Sequence, residues 1–166
     1  MSSPSSYQDL QSPELSTPPS SGPVAEKSAK MDQCAMIVKN MSFKVGQTLT
    51  LVGTIKPNPT RFSVNIGPNE NNIAIHVNPR FNYGCDQNTV VCNSYQCCVW
   101  GEEQKETSFP FKAGQTFRMI IRFNPTEFLV VLPDCSSFKF PNRLGREKYS
   151  VIGIDGDACI TSFEII

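Results

Sequence analysis

The sequence predicts an all-β protein that folds as an antiparallel β-sandwich or β-barrel. Three observations indicate this fold class. Apolar and polar residues alternate with a period of two in several short runs, and clusters of turn-forming residues separate those runs. No stretch of helical length keeps a 3.6-residue apolar period without meeting Pro or Gly. Many short strands with regular turns are typical of antiparallel sandwiches and barrels.

The chain has two parts of different composition. Residues 1–30 contain nine Ser and five Pro and show no apolar periodicity. We expect a disordered tail there, because such a segment buries too little apolar surface to offset its ordering entropy. Residues 31–166 carry the alternating runs. They are predicted to form one domain that is long enough to support its own core.

Each predicted strand turns one apolar face toward the core, because successive side chains point to opposite faces of a sheet. The residues predicted to face the core are, in chain order, Phe62, Val64, Ile66, Ile73, Ile75, Val77, Phe117, Met119, Ile121, Phe123, Phe128, Val130, Leu132, Phe138 and Phe140. The segments GPNENN, NPTE and IDGD lie between strands and have the composition of turns. The Asp155–Gly156 pair in the last of them predicts a β-hairpin.

The charge and hydropathy pattern excludes several classes of protein. Lys plus Arg and Asp plus Glu number 15 each, so the formal net charge is zero. The chain therefore has no basic surplus for a nucleic-acid duplex, and we expect no nucleic-acid partner. It has no polybasic patch for an anionic membrane and no apolar run long enough for a transmembrane helix, so no membrane insertion is expected. The first residues, MSSPSSYQDL, lack the features of a signal peptide.

The cysteine content favours free thiols over metal binding or catalysis. Seven cysteines is an odd number, which predicts mostly free thiols in a cytosolic chain. Cys97 and Cys98 are adjacent rather than in a C-x-x-C spacing, and the chain has one histidine, so we expect no zinc site and no cofactor. A thiol nucleophile made of Cys92 and His76 is not expected either. The strand pattern places the Cys92 side chain toward the core and the His76 side chain outward, so the protein is predicted not to be an enzyme.

A row of polar side chains stands out in the segment HVNPRF, residues 76–81. His76, Asn78 and Arg80 alternate with apolar residues, so all three must point to the same face. Same-face neighbours in a strand lie about 6.5–7 Å apart, roughly the width of one sugar ring. Pro79 removes one donor from the sheet, which predicts a position near a strand end or a bulge. An ordinary solvated strand face would look the same.

The next segments add an aromatic side chain to this polar face. Val91 and Asn93 share one face of the run TVVCNS, and Glu103 and Lys105 alternate after Trp100. Trp100 is followed directly by a glycine and a charged run, which predicts a partly exposed ring rather than a core tryptophan. An exposed indole beside polar and charged side chains is the chemistry of carbohydrate recognition. The indole stacks on sugar C–H groups, while the polar groups bond the hydroxyls.

These motifs resemble the signature of the galectins, the β-galactoside-binding lectins. The segments that carry the resemblance are HVNPRF, VVCNS, WGEEQKE, the FPF at 109–111 and the FKFPNR at 138–143, and the resemblance covers residues 32–166. It implies a two-sheet antiparallel jelly roll with a binding site on one concave sheet. The implied ligands are β-galactoside glycans, such as lactose or N-acetyllactosamine, on glycoproteins or glycolipids.

The resemblance also implies a role for each site residue. His76, Asn78 and Arg80 would bind the axial C4 hydroxyl of galactose, and Trp100 would stack under the sugar. Asn93 and Glu103 would bind the C6 hydroxyl, Arg80 and Glu103 would reach the adjoining sugar, and Val91 would form a small apolar wall. The implied carbohydrate-binding residues are thus His76, Asn78, Arg80, Val91, Asn93, Trp100, Glu103 and Lys105. Glu103 could also hold the Arg80 guanidinium by a charge-assisted fork.

Two positions depart from the family pattern. Gly84 stands where many members have a second histidine, and Lys105 stands where many have an arginine. A lysine cannot fork to two oxygens as an arginine does, so contacts to the second sugar are expected to differ. Asp86 is a candidate to compensate. The departures leave a second interpretation open, a galectin-fold interaction protein with weak sugar binding. The complete core motif favours the lectin.

The family resemblance implies a proto-type-like domain with an unrelated N-terminal extension. Such members commonly dimerise through their terminal strands, for which residues 34–38 and the C-terminal FEII are candidates. Family members also leave the cytosol without a leader, which implies a cytoplasmic protein with an extracellular pool. Since neutral His76 would accept from a hydroxyl, we also expect protonation below about pH 6 to weaken binding.

Overall fold

The computed structural model describes residues 34–166, and these residues form fourteen β-strands and no helix. The predicted tail, residues 1–30, and its boundary with the domain at 31–166 lie outside the described residues. The strands are β1 (Met36–Val38), β2 (Phe43–Lys44), β3 (Thr48–Ile55), β4 (Phe62–Gly67), β5 (Ile73–Tyr83), β6 (Asp86–Gln96), β7 (Val99–Trp100), β8 (Gln104–Glu106), β9 (Thr116–Phe123), β10 (Glu127–Val131), β11 (Ser137–Pro141), β12 (Lys148–Tyr149), β13 (Val151–Gly156) and β14 (Ala158–Ile165).

The strands form two large antiparallel sheets and one short ribbon. The seven-stranded sheet has the order β1-β13-β4-β5-β6-β7, with β8 also paired to β6. The five-stranded sheet has the order β11-β10-β9-β3-β14, and β2 pairs with β12. The two large sheets face each other across an aromatic core, where the rings of Phe62 in β4 and Phe117 in β9 lie 5.0 Å apart. The predicted antiparallel β-sandwich is confirmed, and the jelly roll implied by the resemblance is its form.

The period-two alternation identified most of the core correctly. On β9 and β10 the buried and open positions alternate strictly, as the sequence predicts. The core cluster contains every residue predicted to face inward except Ile73. Burying a side chain of this size contributes about 1.5–3 kcal/mol, so the sandwich is stabilised chiefly by these inward rows.

The prediction for Ile73 is wrong because β5 changes register beside it. Ile73 pairs with Tyr95, but His76 pairs with Asn93, so one strand carries an extra residue between the two pairs. The irregularity turns Ile73 away from the core, and Ala74 is buried in its place. A single-residue insertion reverses the face of everything on one side of it. In β5, the alternation predicted from the sequence is therefore valid only from residue 75 onward.

The predicted hairpin at Asp155–Gly156 is also wrong. A turn is present, and Gly156 has a φ of 94°, but β13 pairs with β4 and β1 whereas β14 pairs with β3. The turn therefore carries the chain from one sheet to the other. Asp157 fixes this turn, because its Oδ2 accepts hydrogen bonds from the backbone N–H and the hydroxyl of Thr60 at 2.9 and 3.0 Å.

Five of the seven cysteines are free thiols, and two are not. Cys34 and Cys159 form a disulfide, while the free cysteines are Cys85, Cys92, Cys97, Cys98 and Cys135. Cys34 precedes β1, an edge strand of the seven-stranded sheet, and Cys159 lies in β14, an edge strand of the five-stranded sheet. The bond therefore links the edges of the two sheets. An odd count of cysteines did not reveal this pair.

No helix within residues 34–166 is long and apolar enough to cross a membrane.

Candidate functional site

A groove of about 440 Å³ lies on the outer face of the seven-stranded sheet, and it brings together seven of the eight predicted site residues. The eighth, Lys105, lies beside the groove without lining it. The residues that line the groove are Arg61, His76, Asn78, Arg80, Tyr83, Val91, Asn93, Trp100, Gly101 and Glu103.

Strand pairing explains how residues distant in the chain meet in this groove. In the ladder between β5 and β6, His76 lies opposite Asn93 and Asn78 lies opposite Val91. Directly opposed residues of an antiparallel pair present their side chains to the same face. Trp100 reaches the same face because β7 folds back against the end of β6. The polar row on β5 thus becomes one wall of a two-strand surface.

Pro79 lies in the middle of β5 and not at a strand end, but it lies two residues before a bulge, the other position expected from the sequence, because the backbone N–H groups of Phe81 and Asn82 both donate to the carbonyl of Thr60. Phe81 donates its backbone N–H to the carbonyl of Thr60 at 2.9 Å. This bond shows which residues of β5 donate their N–H groups toward β4 and the residues before it. Because donor positions alternate along an antiparallel ladder, residue 79 should donate to the carbonyl of Phe62. Pro79 has no N–H, and the side chain of Asn78 donates to that carbonyl instead, at 2.6 Å. A binding-site amide therefore replaces the missing backbone donor.

This replacement also fixes which end of the Asn78 amide faces the groove. Its Nδ2 is held by the Phe62 carbonyl, so Oδ1 points the other way and accepts from Arg80 Nε at 2.9 Å. Asn78 is almost fully buried. A ligand hydroxyl in the groove meets an acceptor at this position, with its orientation set before binding.

Arg80 is held by two carboxylates, and Asp86 is the closer one. Arg80 Nη1 lies 2.6 Å from Asp86 Oδ2, whereas Nη2 lies 3.5 Å from Glu103 Oε1. The predicted link to Glu103 is therefore the longer of the two. Lys105 completes the cluster, since its Nζ lies 2.8 Å from Asp86 Oδ1 and 3.7 Å from Glu103 Oε2. Hydrogen bonds from Lys105 and then from Arg80 lower the pKa of Asp86, so Asp86 carries the negative charge between the two cations.

Trp100 is partly exposed, as the sequence predicts. Its side chain is 48% exposed, and its ring lies 4.9 Å from the ring of His76 and 4.9 Å from that of Tyr95. The strand β7 has two residues and lies at a sheet edge, and the exposed part of the indole lines the groove. An exposed indole next to polar groups suits a ligand with one apolar and one polar side.

His76 is held in its neutral form. Its Nδ1 lies 2.5 Å from Asn65 Oδ1, and a carbonyl oxygen only accepts, so Nδ1 carries the proton. The pKa of His76 is lowered from 6.5 to about 4, chiefly by burial and further by the charges of Arg80 and Arg61, while a hydrogen bond with Asn78 acts in the opposite direction. The expectation that His76 protonates near pH 6 is therefore wrong. Its burial on the sheet was not visible in the sequence.

Three residues of the groove were missed by the sequence analysis. Arg61 and Tyr83 pack together, with the guanidinium carbon 4.7 Å from the ring centroid, and Gly101 lines the groove beside Trp100. Arg61 could have been found, because it continues the polar face of FSVNIG by one more alternate position. Tyr83 lies out of step with His76 and Arg80, so the alternation gave no signal for it.

The thiol of Cys92 takes no part in this site. Cys92 is fully buried in the core, on the opposite face of β6 from Asn93. Burial raises the pKa of the Cys92 thiol well above its usual value. The prediction that Cys92 and His76 cannot meet is confirmed.

Comparison with known proteins identifies the family. Residues 33–165 match the family of galactoside-binding lectins. Galectin-1 of the sheep, Ovis aries, is 42% identical over 124 residues, which cover 75% of this chain and 92% of the sheep protein. The structure of congerin II with lactose and MES superposes with a TM-score of 0.77 at 36% identity, over 80% of this chain and 99% of congerin II. CG-16, a homodimeric agglutinin from chicken liver, superposes with a TM-score of 0.76 at 35% identity, over 80% of this chain and 99% of CG-16. The chain belongs to the galectins, the family of galactoside-binding lectins, which are not enzymes.

Proposed function

We propose that the groove binds β-galactosides of the lactose and N-acetyllactosamine type. One observation carries this proposal. His76, Asn78, Arg80, Asn93, Trp100 and Glu103, the side chains that match the galectin motif, all line one groove. The exposed indole suits the C–H face of galactose, and the polar row on β5 suits its hydroxyls.

Fixed hydrogen-bond polarity supports selectivity for galactose. Asn78 presents Oδ1, and Arg80 is held by Asn78 and Asp86 before any ligand arrives. A sugar whose C4 hydroxyl is equatorial would leave these groups unpaired in the groove. Each unpaired group costs about 1–3 kcal/mol, which corresponds to roughly a 5- to 150-fold preference for the axial epimer.

The second sugar is recognised mainly by Arg80 and Glu103. Lys105 is drawn to Asp86 and Glu103 and does not line the groove. Gly84, with a φ of 61°, offers no side chain where relatives carry a histidine. These two departures from the family pattern support weaker binding of the second sugar. They are also what favours the alternative function, an interaction protein of the galectin fold with weak sugar affinity.

A dimer formed through the terminal strands would let the lectin cross-link glycoconjugates on glycoproteins or glycolipids. Within residues 34–166, strands β1 and β14 are edge strands of the two sheets. Ile37 in β1 is 50% exposed and Ile166 after β14 is 74% exposed, and CG-16 is a homodimer. Sedimentation velocity at micromolar concentration tests this proposal: a dimer supports cross-linking, and a monomer at all concentrations contradicts it.

A cytoplasmic location with an extracellular pool is part of the same proposal. Four of the five free cysteines are exposed, which suits a reducing compartment. The Cys34–Cys159 disulfide suits an oxidising one. Fractionation of producing cells, with thiol trapping of each fraction, should find the reduced form inside and the oxidised form outside. A single redox form in both fractions would contradict this.

Calorimetric titration with lactose tests the central proposal. We expect binding in the micromolar to millimolar range with one site per chain, and no binding of maltose, which contains no galactose. Lactose and maltose binding with equal affinity would favour an unspecific polar groove. Absence of lactose binding would favour the interaction protein.

A further inference from the structure

Arg143 lies outside the groove, yet it contacts the groove from the opposite sheet. It follows β11, a strand of the five-stranded sheet, whereas the residues it reaches belong to β6 and the segment after β7. The guanidinium carbon of Arg143 lies 4.7 Å from the centroid of the Phe140 ring. The side chain is thus anchored at its own strand and spans to the other sheet.

The guanidinium donates to three oxygens at the edge of the groove. Its Nη1 lies 3.2 Å from Asn93 Oδ1 and 3.1 Å from Ser94 Oγ, and its Nη2 lies 2.9 Å from the backbone carbonyl of Glu102. All three acceptors are neutral groups. The guanidinium serves them from two nitrogens held in one plane, and the single nitrogen of a lysine does not reproduce this fork.

These contacts determine the orientation of the Asn93 amide. Asn93 Oδ1 accepts from Arg143 and from the backbone N–H of Ser94 at 2.8 Å. Its Nδ2 donates one proton to the carbonyl of Gly101 at 2.9 Å. The second Nδ2 proton remains for the groove. Asn93 can therefore offer only a donor to a ligand, whereas the carboxylate of Glu103, which lines the same groove, offers an acceptor.

The same contacts hold the backbone that joins Trp100 to Glu103. The N–H of Gly101 donates to the carbonyl of Ser94 at 2.9 Å, and the carbonyl of Glu102 is held by Arg143. The fit around Gly101 is close, because an added Cβ would lie 2.7 Å from Arg143 Nη1. Any side chain at position 101 would displace the guanidinium.

We propose that Arg143 is a positioning residue that sets the donor polarity of Asn93 and the placement of Trp100 and Glu103 in the groove. The inference rests on the proposed galactoside binding for its ligand. Asn93 offers a donor and Glu103 an acceptor to the same groove, so a hydroxyl, which both donates and accepts, is a ligand group that fits them. By the family resemblance this is the C6 hydroxyl of galactose.

The test compares two ligands and two arginine variants by calorimetry. Arg143→Gln should weaken lactose binding about tenfold, but should weaken binding of lactose that lacks the galactose 6-hydroxyl by at most about twofold. The matched control is Arg122→Gln, an exposed arginine of β9 on the far sheet, which should change neither affinity. Equal losses for both ligands, or no loss, would overturn the proposal. Arg143→Lys keeps the charge and should behave like Arg143→Gln, which covers the case in which the glutamine variant does not fold.

NMR of the protein without sugar separates this inference from the proposed function. In Arg143→Lys the side-chain amide of Asn93 and the indole N–H of Trp100 should shift, while amides of β3 and β14, at the other side of the five-stranded sheet from β11, should not. Unchanged Asn93 and Trp100 signals would overturn the positioning role even if lactose binds. If these signals shift in the variant and the wild-type protein binds no lactose, the positioning role is supported and the proposed function is overturned.

Discussion

The His76 half of the groove and the Asp86 half are both polar, but they are held by different interactions. Around His76 and Asn78 the side chains are largely buried, and both donate to neutral partners, the Asn65 amide oxygen and the Phe62 carbonyl. Around Asp86 the contacts are ion pairs, and the partners Glu103 and Lys105 are 41% and 47% exposed. Buried neutral bonds fix geometry at little sensitivity to salt, whereas exposed ion pairs are screened. On the proposed function, the first half would receive the galactose and the second half the adjoining sugar.

Removing the Trp100 indole, which lies in the His76 half of the groove, should cause the largest loss of lactose affinity. Trp100→Ala should weaken lactose binding about 50-fold or more, since truncating a central tryptophan typically costs above 2 kcal/mol. Calorimetry measures the affinity. The control is Val99→Ala, whose exposed side chain is next in the chain but does not line the groove. Equal effects of the two substitutions would show that the indole face carries no special share of the affinity.

Substituting Asn78 should cost stability as well as binding. Asn78→Ala leaves the Phe62 carbonyl without a donor, which should lower the free energy of unfolding by about 1–3 kcal/mol. Chemical denaturation measures this loss, and calorimetry the loss of lactose binding.

A second substitution separates the two roles of Asn78. Adding Pro79→Ala to Asn78→Ala restores a backbone N–H opposite Phe62, so stability should recover by about 1 kcal/mol while lactose binding stays weak. If the free energy of unfolding did not recover, the Asn78 amide would not replace a bond of the strand ladder.

The ionic half should respond more weakly and depend on salt. Asp86→Asn should weaken lactose binding about fivefold, because Arg80 and Lys105 lose their shared carboxylate and the guanidinium loses its closest anchor. The part of the loss that comes from the pair with the half-exposed Lys105 should shrink at 0.5 M salt, whereas the part that comes from the largely buried pair with Arg80 should persist. The matched control is Glu127→Gln, which removes the exposed ion pair with Lys139 on the other sheet. A salt-independent loss would show that the pair with Lys105 contributes nothing and that Asp86 acts through Arg80 alone.

The smallest expected effect is that of pH between 7.5 and 5. With a pKa of about 4, roughly a tenth of His76 is protonated at pH 5, so lactose affinity should change by only about 10% and should fall by half near pH 4. The depressed pKa also means that the unfolded chain binds the proton first. His76 therefore contributes stability that is present above pH 6.5 and lost as pH falls through about 4. A titration of affinity with a midpoint near pH 6 would show that His76 is solvated.

The sequence predicted what depends on alternation and missed what depends on register. Residues such as Met119 and Phe128 were correctly placed because burial on a half-covered sheet follows the period of two. Ile73 was misplaced because one extra residue in β5 leaves no local trace in the composition. Asp155–Gly156 has the residues of a hairpin turn, but which strands it connects is decided by pairing across the sheets.

The candidate site was predictable as a set of residues but not as a network. The motif identified His76 and Trp100, and the alternation put them on one face. That Asp86 and not Glu103 is the closer partner of Arg80 depends on where β6 begins. That Arg143 reaches Asn93 depends on how the two sheets stack. Such contacts join residues up to 50 positions apart, and no short-range pattern encodes them.

The folded chain is expected to have one stability when Cys34 and Cys159 are bonded and a lower one when they are reduced. It closes a loop with a sequence separation of 125, and a cross-link of that span removes about 5 kcal/mol of chain entropy from the unfolded state. That amount is comparable to the whole folding free energy of many domains. A copy in which this bond has formed is therefore much harder to unfold than a reduced copy of the same chain. On the proposed localisation, the lectin would be durable outside the cell and easily unfolded inside it.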